Sequence, residues 1–267
     1  MIGDPAQRVK LVFATAFAAG LAVPFPAIAG TATPSCSVPL DLIRLANPLP
    51  HVAKKVMAAD PITVVAIGSS STSGAGASSP ASNYPSRLLI ELQQHFPKVS
   101  ITMLNRGVGG EEIGDMLQRF DSAVIAAKPD LVLWQLGTNS VIRGHRLGDQ
   151  GALIRTGLAK IRAASADVVL IDPQFAPKVI AKPDAEEMVA LISATAKRED
   201  VDLFPRFEVM RHWRDVDRLA FETFVSPDGL HMNDWSYACM AKGLGNAIAE
   251  AINRPIMSAT ALSHAMP

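Results

Sequence analysis

The sequence predicts an α/β protein, a three-layer α/β/α sandwich built on a mostly parallel sheet of five strands. Short, almost continuously apolar segments alternate along the chain with segments that have a helical period. Apolar strands of this kind are typical of parallel sheets covered by helices on both faces. The chain has no internal repeat and no long low-complexity tract, and its length suits one domain with a substantial core.

The elements of the predicted domain, residues 61–253, follow one another in a regular order. The strands are the short apolar segments Ile62–Ile67, Val99–Leu104, Leu131–Leu136, Val168–Ile171 and Val201–Phe204. The helices between and after them are Tyr84–His95, Glu111–Ala126, Leu153–Ile161, Asp184–Lys197 and Asp234–Ile252. Ligands in such folds bind beyond the carboxyl ends of the strands, so the loops after the strands are the places to search for chemistry.

The first 29 residues have the order of a removable export signal. Two basic residues precede the apolar run Leu11–Val23, and Ala27–Ala29 offers a small-residue cleavage site. The run is too short to span a bilayer comfortably, and no longer apolar run follows it. We therefore expect a signal peptide and a secreted or periplasmic protein, with a frayed apolar N-terminus as the alternative. A Pro-rich lead-in then covers residues 30–60, and a flexible tail covers residues 254–267.

Charge and motif content exclude several classes of partner. The chain carries 25 basic and 25 acidic side chains and has no basic stripe, so nucleic acid is not an expected partner. No cysteine stands in a metal-ligand spacing, so no metal site is expected. No cofactor is implied either.

A serine-rich loop, Gly68–Gly74, follows the first strand. A serine placed where a strand turns into a loop can hold its hydroxyl clear of the sheet, where it is free to act as a nucleophile. A flexible polar turn and a phosphate-binding loop are the alternatives. The segment lacks the Lys of a P-loop and the G-x-G-x-x-G spacing of a dinucleotide site.

Two further loops offer hydrogen-bond donors. Asn105–Gly110 is rich in glycine and stands before a helix, so its backbone N–H groups can approach a ligand closely. Gly137–Ser140 places Asn139 at the tip of the third strand, where its amide can donate into a cleft. A plain glycine connector and an Asn that bonds its own loop are the alternatives.

The segment Ser226–His231 supplies an oriented base. Asp228 precedes His231 by three residues just before the last helix, so its carboxylate can reach the imidazole and orient it. A surface turn with a nearby His is the alternative for this segment alone. Together, however, the four loops supply a nucleophile, oxyanion donors and a base, which is the set that ester hydrolysis needs.

These four blocks, in this order, resemble the SGNH hydrolase superfamily of GDSL-type lipases and esterases. The resemblance spans roughly residues 62–250 and implies a flavodoxin-like fold. Carried over position by position, it implies a triad of Ser70, His231 and Asp228. It also implies an oxyanion hole formed by the N–H groups of Ser70 and Gly110 and by the side chain of Asn139.

The chain departs from the family pattern at two positions. The Asp that usually precedes the nucleophile is Ser69 here, and the residue after Asn139, often Asp in relatives, is Ser140. Ser69 and Ser71 also carry hydroxyls, so the register of the nucleophile has competitors. Gly107 and Gly109 compete with Gly110 for the oxyanion role, although the family spacing favours Gly110.

The resemblance implies a serine ester hydrolase that forms an acyl-enzyme on a carbohydrate, lipid or small acyl ester. The expected partner is a small-molecule or polysaccharide ester substrate, with no membrane span. An O-acyltransferase to a sugar hydroxyl and a non-catalytic binding module are the alternatives. Phe207, Trp213 and Phe221 either line the substrate pocket or belong to the core.

The chain has two cysteines, Cys36 and Cys239. In an oxidising compartment such a pair can form a disulfide, and we expect this bond in the exported protein. Two unpaired thiols, with Cys239 as a small core residue on the last helix, are the alternative.

Overall fold

The computed structural model of the chain describes residues 34–36, 38–145 and 147–254. The chain divides into two units after Ser35, and the fold described below is that of the unit that begins at Cys36. The predicted signal peptide, residues 1–29, lies outside the described residues, as does the predicted tail apart from Arg254. In the described ranges, no helix combines the length and the apolar character needed to cross a bilayer.

A parallel sheet forms the centre of the molecule. Its five strands are β1 (Ile62–Gly68), β2 (Ile101–Gly107), β3 (Leu131–Gln135), β4 (Asp167–Ile171) and β5 (Asp202–Phe204). Their spatial order is β2-β1-β3-β4-β5, and every neighbouring pair is parallel. This is the flavodoxin-like order, in which the chain reverses its direction of travel between β2 and β3, beside β1. The predicted fold class is therefore confirmed.

Helices surround the sheet. In the described part of the chain they are α1 (Leu40–Ile43), α2 (Pro50–Ala58), α3 (Ser70–Ser73), α4 (Tyr84–His95), α5 (Ile113–Gln118), α6 (Phe120–Ala123), α7 (Thr138–Arg143), α8 (Gln150–Ala163), α9 (Pro177–Ile180), α10 (Ala185–Arg198), α11 (Arg206–Asp215), α12 (Phe221–Phe224) and α13 (Asp234–Asn253). Short 3₁₀ turns cover Pro80–Ser82 and Ile125–Ala127. The long helices α4 and α13 pack together, while α8 packs on α5 and α10. Because right-handed crossovers that run in opposite directions lie on opposite faces, these two groups form the outer layers.

The core follows from the position of each strand in the sheet. Val65 of β1 is paired with Leu104 of β2 and with Val132 of β3. Val65 and Val132 are fully buried because helices cover both faces of these central strands. Leu104, on the edge strand β2, is only partly buried.

The second strand and the helix Glu111–Ala126 are two of the predicted elements that differ from the structure. The second strand extends to Gly107 instead of ending at Leu104. An edge strand tolerates the polar residues Asn105 and Arg106 that a buried strand would not. The predicted helix Glu111–Ala126 is divided into α5, α6 and a 3₁₀ turn. The division falls at Arg119, whose backbone leaves helical geometry with φ −107° and ψ 8°.

The segment that the sequence suggests as a Pro-rich lead-in is packed into the same core. Leu45 and Leu49 are buried to 1% exposure. The N–H of Val52 donates to the Asp167 carboxylate at the start of β4 over 2.9 Å. Residues 38–60 therefore contribute two helices and part of the core to the unit that carries the sheet.

The structure joins Cys36 to Cys239 by a disulfide, with 5.4 Å between the Cα atoms. Cys239 lies on α13 and is buried, whereas Cys36 is partly buried and packs against the core. The bond therefore ties the start of the described chain to the helix that follows the predicted Asp–His segment.

Reduction of this disulfide is expected to lower the melting temperature while leaving activity at room temperature intact. The cysteines are 203 residues apart, and the loop-closure estimate for such a bond is at most about 5 kcal/mol of unfolding free energy. The measurement is thermal unfolding of the oxidised protein, the reduced protein and a Cys36→Ser variant, which should match the reduced form. Two free thiols titrated in the unfolded, unreduced protein would contradict the pairing.

Candidate active site

The serine-rich loop presents one hydroxyl to the cleft. Ser70 directly follows Ser69 at the end of β1 and is the first residue of α3. The N–H and the hydroxyl of Ser69 donate to the Gln135 side-chain oxygen over 2.9 and 3.1 Å. Ser69 and Ser71 are buried to 2% and 1% exposure, whereas Ser70 is partly exposed. The competing hydroxyls on either side of Ser70 are therefore turned into the protein.

The structure brings the three predicted triad residues together. The His231 Nε2 atom lies 2.9 Å from the Ser70 hydroxyl oxygen, although 161 residues separate them in the sequence. The His231 Nδ1 atom lies 2.5 Å from the Asp228 Oδ2 atom. The other carboxylate oxygen of Asp228 accepts the backbone N–H groups of Leu230 and His231, each over 2.9 Å. A continuous hydrogen-bonded chain thus runs from the carboxylate through the imidazole to the hydroxyl.

The hydrogen bonds around Asp228 determine its charge, and that charge determines which nitrogen of His231 carries a proton. Burial alone would raise the pKa of Asp228, but the hydrogen bonds from the His231 ring and from the N–H groups of His231 and Leu230 outweigh it and lower that pKa. The carboxylate is therefore ionised at neutral pH and acts only as an acceptor. The His231 Nδ1 atom must then carry the proton of this hydrogen bond, so Nε2 is the ring atom placed to accept a proton from Ser70.

The loop that carries Asp228 and His231 is closed by its own hydrogen bonds and lies against Gly76. An antiparallel bridge joins Val225 to Met232, and the Ser226 N–H donates to the His231 carbonyl over 2.7 Å. Gly76 lies next to Met232 and His231. A Cβ atom there would lie 2.2 Å from the Met232 carbonyl oxygen and 3.0 Å from the His231 Cβ atom. The φ angle of Gly76 is +85°, which side chains rarely adopt.

Gly76→Ala is expected to lower kcat by about 100-fold, because the added methyl group must push His231 away from Ser70, and misplacement by an ångström commonly has that effect. The matched control is Gly148→Ala, since a Cβ at Gly148 meets nothing within 4 Å. Circular dichroism and steady-state kinetics on both variants test this expectation. A folded Gly76→Ala variant with wild-type kcat would show that the contact does not position His231.

The predicted oxyanion donors lie on the other two loops. Asn139 is the second residue of α7, and one N–H of its amide donates to the Glu111 carbonyl over 2.8 Å. Gly110 follows β2 with a φ angle of +82°. Gly107 has a packing role instead, because a Cβ there would lie 2.1 Å from the Ser73 nitrogen. Gly109 lies close to Ser70, since its Cβ would be 4.0 Å from the Ser70 Cβ atom.

Some residues at the site have little or no signal in the sequence. Gln135 holds Ser69 and also accepts from the Thr72 hydroxyl over 3.3 Å. Its polar side chain at the end of an otherwise apolar strand is the one available signal. Glu112 and Arg143 bind each other across the two oxyanion loops, and no motif points to that pair.

The aromatic residues considered for the pocket divide between two environments. Phe207 and Trp213 belong to the core, with 0% and 1% exposure. Phe221 is partly exposed and lines a cavity of about 280 Å³. The cavity lies beside the Asp228 loop and includes Pro227 and Gly229 in its wall. Among the described residues, no group of three or more His, Cys, Asp or Glu is placed to hold a metal ion.

The fold and the site together are those of a three-layer α/β/α sandwich with a Ser-His-Asp arrangement at the point where the sheet order reverses. The chain belongs to the non-GDSL lipase-like family, whose model matches residues 35–254. The match confirms the predicted relationship to the GDSL-type lipases and esterases of the SGNH hydrolase superfamily. The family description suits the first block, which reads Gly68-Ser69-Ser70-Ser71 in place of Gly-Asp-Ser-Leu.

Individual relatives share shorter or more distant similarity. An acetylxylan esterase from Geobacillus stearothermophilus is 38% identical over 56 residues, which are 21% of this chain and 26% of that protein. A two-domain esterase active on acetylated mannans has a similar structure, with a TM-score of 0.71 and 18% identity over 84% of this chain. This chain spans 59% of that larger protein. The acetylxylan esterase Axe2 from Geobacillus stearothermophilus gives a TM-score of 0.58 at 19% identity, covering 73% of this chain and 95% of Axe2.

Proposed function

We propose that the protein is an exported serine esterase that removes small acyl groups, acetyl foremost, from a carbohydrate. The observation that carries the proposal is the chain of hydrogen bonds from Asp228 through His231 to Ser70. Support for the substrate comes from relatives named for acetylated xylan and acetylated mannan. The expected signal peptide, residues 1–29, supports export, because such polymers lie outside the cytoplasm.

Acylation begins when the Ser70 oxygen attacks the ester carbonyl carbon and its proton passes to His231 Nε2. The Asp228 carboxylate stabilises the imidazolium that forms. The negative charge on the carbonyl oxygen is met by the N–H groups of Ser70 and Gly110 and by the Asn139 amide. Each such donor commonly contributes about 3 kcal/mol of transition-state stabilisation. Because Ser70 is the first residue of α3, its N–H has no acceptor within the helix and is available for this role.

Collapse of the tetrahedral intermediate breaks the ester bond, and the proton on His231 passes to the departing alcohol oxygen. Water then attacks the acyl-enzyme and gives a proton to the same nitrogen. The bond to Ser70 breaks, and the proton returns to the serine oxygen. The products are a carboxylic acid and a carbohydrate hydroxyl.

The test is acetate release by the purified protein from p-nitrophenyl acetate, longer p-nitrophenyl esters, acetylated xylan and acetylated mannan. We expect hydrolysis of the acetate ester and release of acetate from at least one polysaccharide. Ser70→Ala is the control for non-enzymatic release.

Other outcomes would favour the two alternatives. Transfer of the acetyl group to an added sugar, in place of acetate release, would identify an acyltransferase. Binding of an acetylated glycan without turnover of any ester would identify a binding module. N-terminal sequencing of protein exported by a bacterial host tests the signal peptide, and the expected first residue is Gly30.

A further inference from the structure

The two oxyanion donors outside the nucleophile loop lie on separate parts of the fold. Gly110 follows β2, and Asn139 follows β3. These strands are not neighbours, because β1 lies between them. β1 is paired with both strands, so the sheet fixes the strand ends. Beyond those ends, the separation of the two loops depends on contacts that the loops themselves make.

Arg143, at the end of α7, supplies such a contact. Its Nη2 atom donates to the Gly110 carbonyl oxygen over 2.8 Å, and its Nη1 atom lies 2.5 Å from the Glu112 carboxylate. The helix that carries Asn139 is thus bonded to the residues at and after Gly110. The Asn139 amide itself donates to the intervening carbonyl of Glu111.

Glu112 accepts two further side-chain hydrogen bonds from residues in or just after α7. Its Oε2 atom accepts the Ser140 hydroxyl and the His145 Nδ1–H, each over 2.9 Å. The side chain is 13% exposed. Burial alone would raise the pKa of Glu112, but the hydrogen bonds from Arg143, His145 and Ser140 outweigh it and lower that pKa. Glu112 is therefore a charged acceptor whose side-chain donors Ser140, Arg143 and His145 come from α7 or the residues just after it.

We propose that Glu112 and Arg143 are positioning residues that hold the Gly110 N–H and the Asn139 amide at the spacing required to bind one oxyanion. The proposal rests on the proposed esterase function. Gly110 is the direct point of action. Arg143 binds its carbonyl, which belongs to the peptide unit that follows the one bearing the Gly110 N–H, and this bond restrains the backbone that carries that N–H. The hydroxyl of Ser140, the residue after Asn139, joins the same carboxylate.

A positioning role has a kinetic signature that a purely structural role lacks. The Arg143 side chain is 45% exposed, and exposed ion pairs contribute little to stability. Its loss should therefore leave the fold intact and affect charge that develops only in the transition state. We expect a lower kcat, an almost unchanged KM and weaker binding of a boronic acid, which forms a tetrahedral adduct with the nucleophilic serine.

The experiment compares wild type, Arg143→Met, Arg143→Lys and Glu112→Gln with a chromogenic acetate ester. Arg143→Met is expected to lose about 10- to 100-fold in kcat, with KM within about twofold and the boronic acid inhibition constant rising in parallel. Arg143→Lys should lie between this variant and wild type, because an ammonium cannot bind two acceptors in the fixed fork of a guanidinium. In combination with Asn139→Ala, the Arg143→Met loss should be much less than additive.

The chain offers a matched control. Arg162 binds the Glu199 carboxylate and the Glu199 carbonyl, and its side chain is 47% exposed, so it makes the same kinds of contact away from the triad. Arg162→Met should keep wild-type kcat. If wild type is active and Arg143→Met equals it in kcat, the inference is overturned and the esterase proposal stands.

The other outcomes also separate the two claims. A raised KM at unchanged kcat would make Arg143 a substrate contact, and a kcat loss that follows a collapse in melting temperature would make the cluster structural. Either result overturns the inference. A wild-type protein that hydrolyses no ester would overturn the proposed function and this inference with it.

Discussion

Replacement of Ser70 by alanine is expected to lower kcat for ester hydrolysis by roughly 10⁴- to 10⁶-fold while the protein stays folded. The hydroxyl oxygen lies 2.9 Å from His231 Nε2, the distance at which the imidazole can take its proton. The methyl group of alanine fits the same partly exposed space, so the loss is one of chemistry. Steady-state kinetics with a chromogenic acetate ester, with circular dichroism as a check on folding, measure it.

Ser73→Ala is the matched control. Its hydroxyl is exposed in the same loop and donates to the Ser70 carbonyl over 2.9 Å, so it shares the environment without facing His231. This variant should keep a measurable rate. His231→Ala should lose nearly as much as Ser70→Ala, and the double variant should be little worse, because members of one catalytic unit are not additive. An additive loss would place His231 outside the unit.

Asn139→Ala is expected to lower kcat by about 10²- to 10³-fold with little change in KM. The amide group carries two N–H donors, and the Glu111 carbonyl uses one of them over 2.8 Å. We assign the other to the oxyanion. Removal of one such donor commonly costs about 2.7–4 kcal/mol of transition-state stabilisation. The substrate carbonyl in the ground state carries less charge, so KM should change little.

The control for this variant is Asn246→Ala. The Asn246 side chain accepts a hydrogen bond from His95 over 3.1 Å, on α13 and away from the triad. Loss of this contact should leave both kinetic constants as they are. A wild-type kcat in Asn139→Ala would remove Asn139 from the oxyanion hole and leave the backbone N–H groups as the donors.

The sheet could be predicted from the sequence because each strand is a compact apolar segment that must be buried. The side chains of central strands such as Leu131–Gln135 are removed from water only when the strand lies inside the sheet, and these strands form as expected. The edge strand was less predictable. Its last residues, Asn105 to Gly107, are polar or small, and only pairing with β1 keeps them in the sheet.

The three residues that the structure brings together, Ser70, Asp228 and His231, could be named from the sequence because they occur in short, ordered blocks. The three-residue step from Asp228 to His231 is a local geometry, and local geometry can be read from spacing. The exclusion of Ser69 in favour of Ser70 depends on Gln135, a residue 66 positions from Ser69 in the chain. Spacing within one block carries no information about such a contact.

The supporting residues depend still more on contacts between distant segments. Gly76 is needed because the Met232 carbonyl passes beside it, and Arg143 acts through Gly110 on a loop that follows another strand. The disulfide also depends on a contact between distant segments. Two cysteines and an expected oxidising compartment suggest a bond, but the fold is what brings Cys36 to Cys239. In each case, the residue type alone permits the role without requiring it.

Labelling of the purified protein with a fluorophosphonate, followed by peptide mapping, tests the central claim most directly. The probe reacts only with a serine that a neighbouring base activates, and it needs no knowledge of the natural substrate. The triad geometry predicts one modified residue, Ser70, and loss of labelling in Ser70→Ala and His231→Ala. Modification of Ser71 or Ser73 in its place, or labelling that persists without His231, would contradict the assignment of Ser70 as nucleophile.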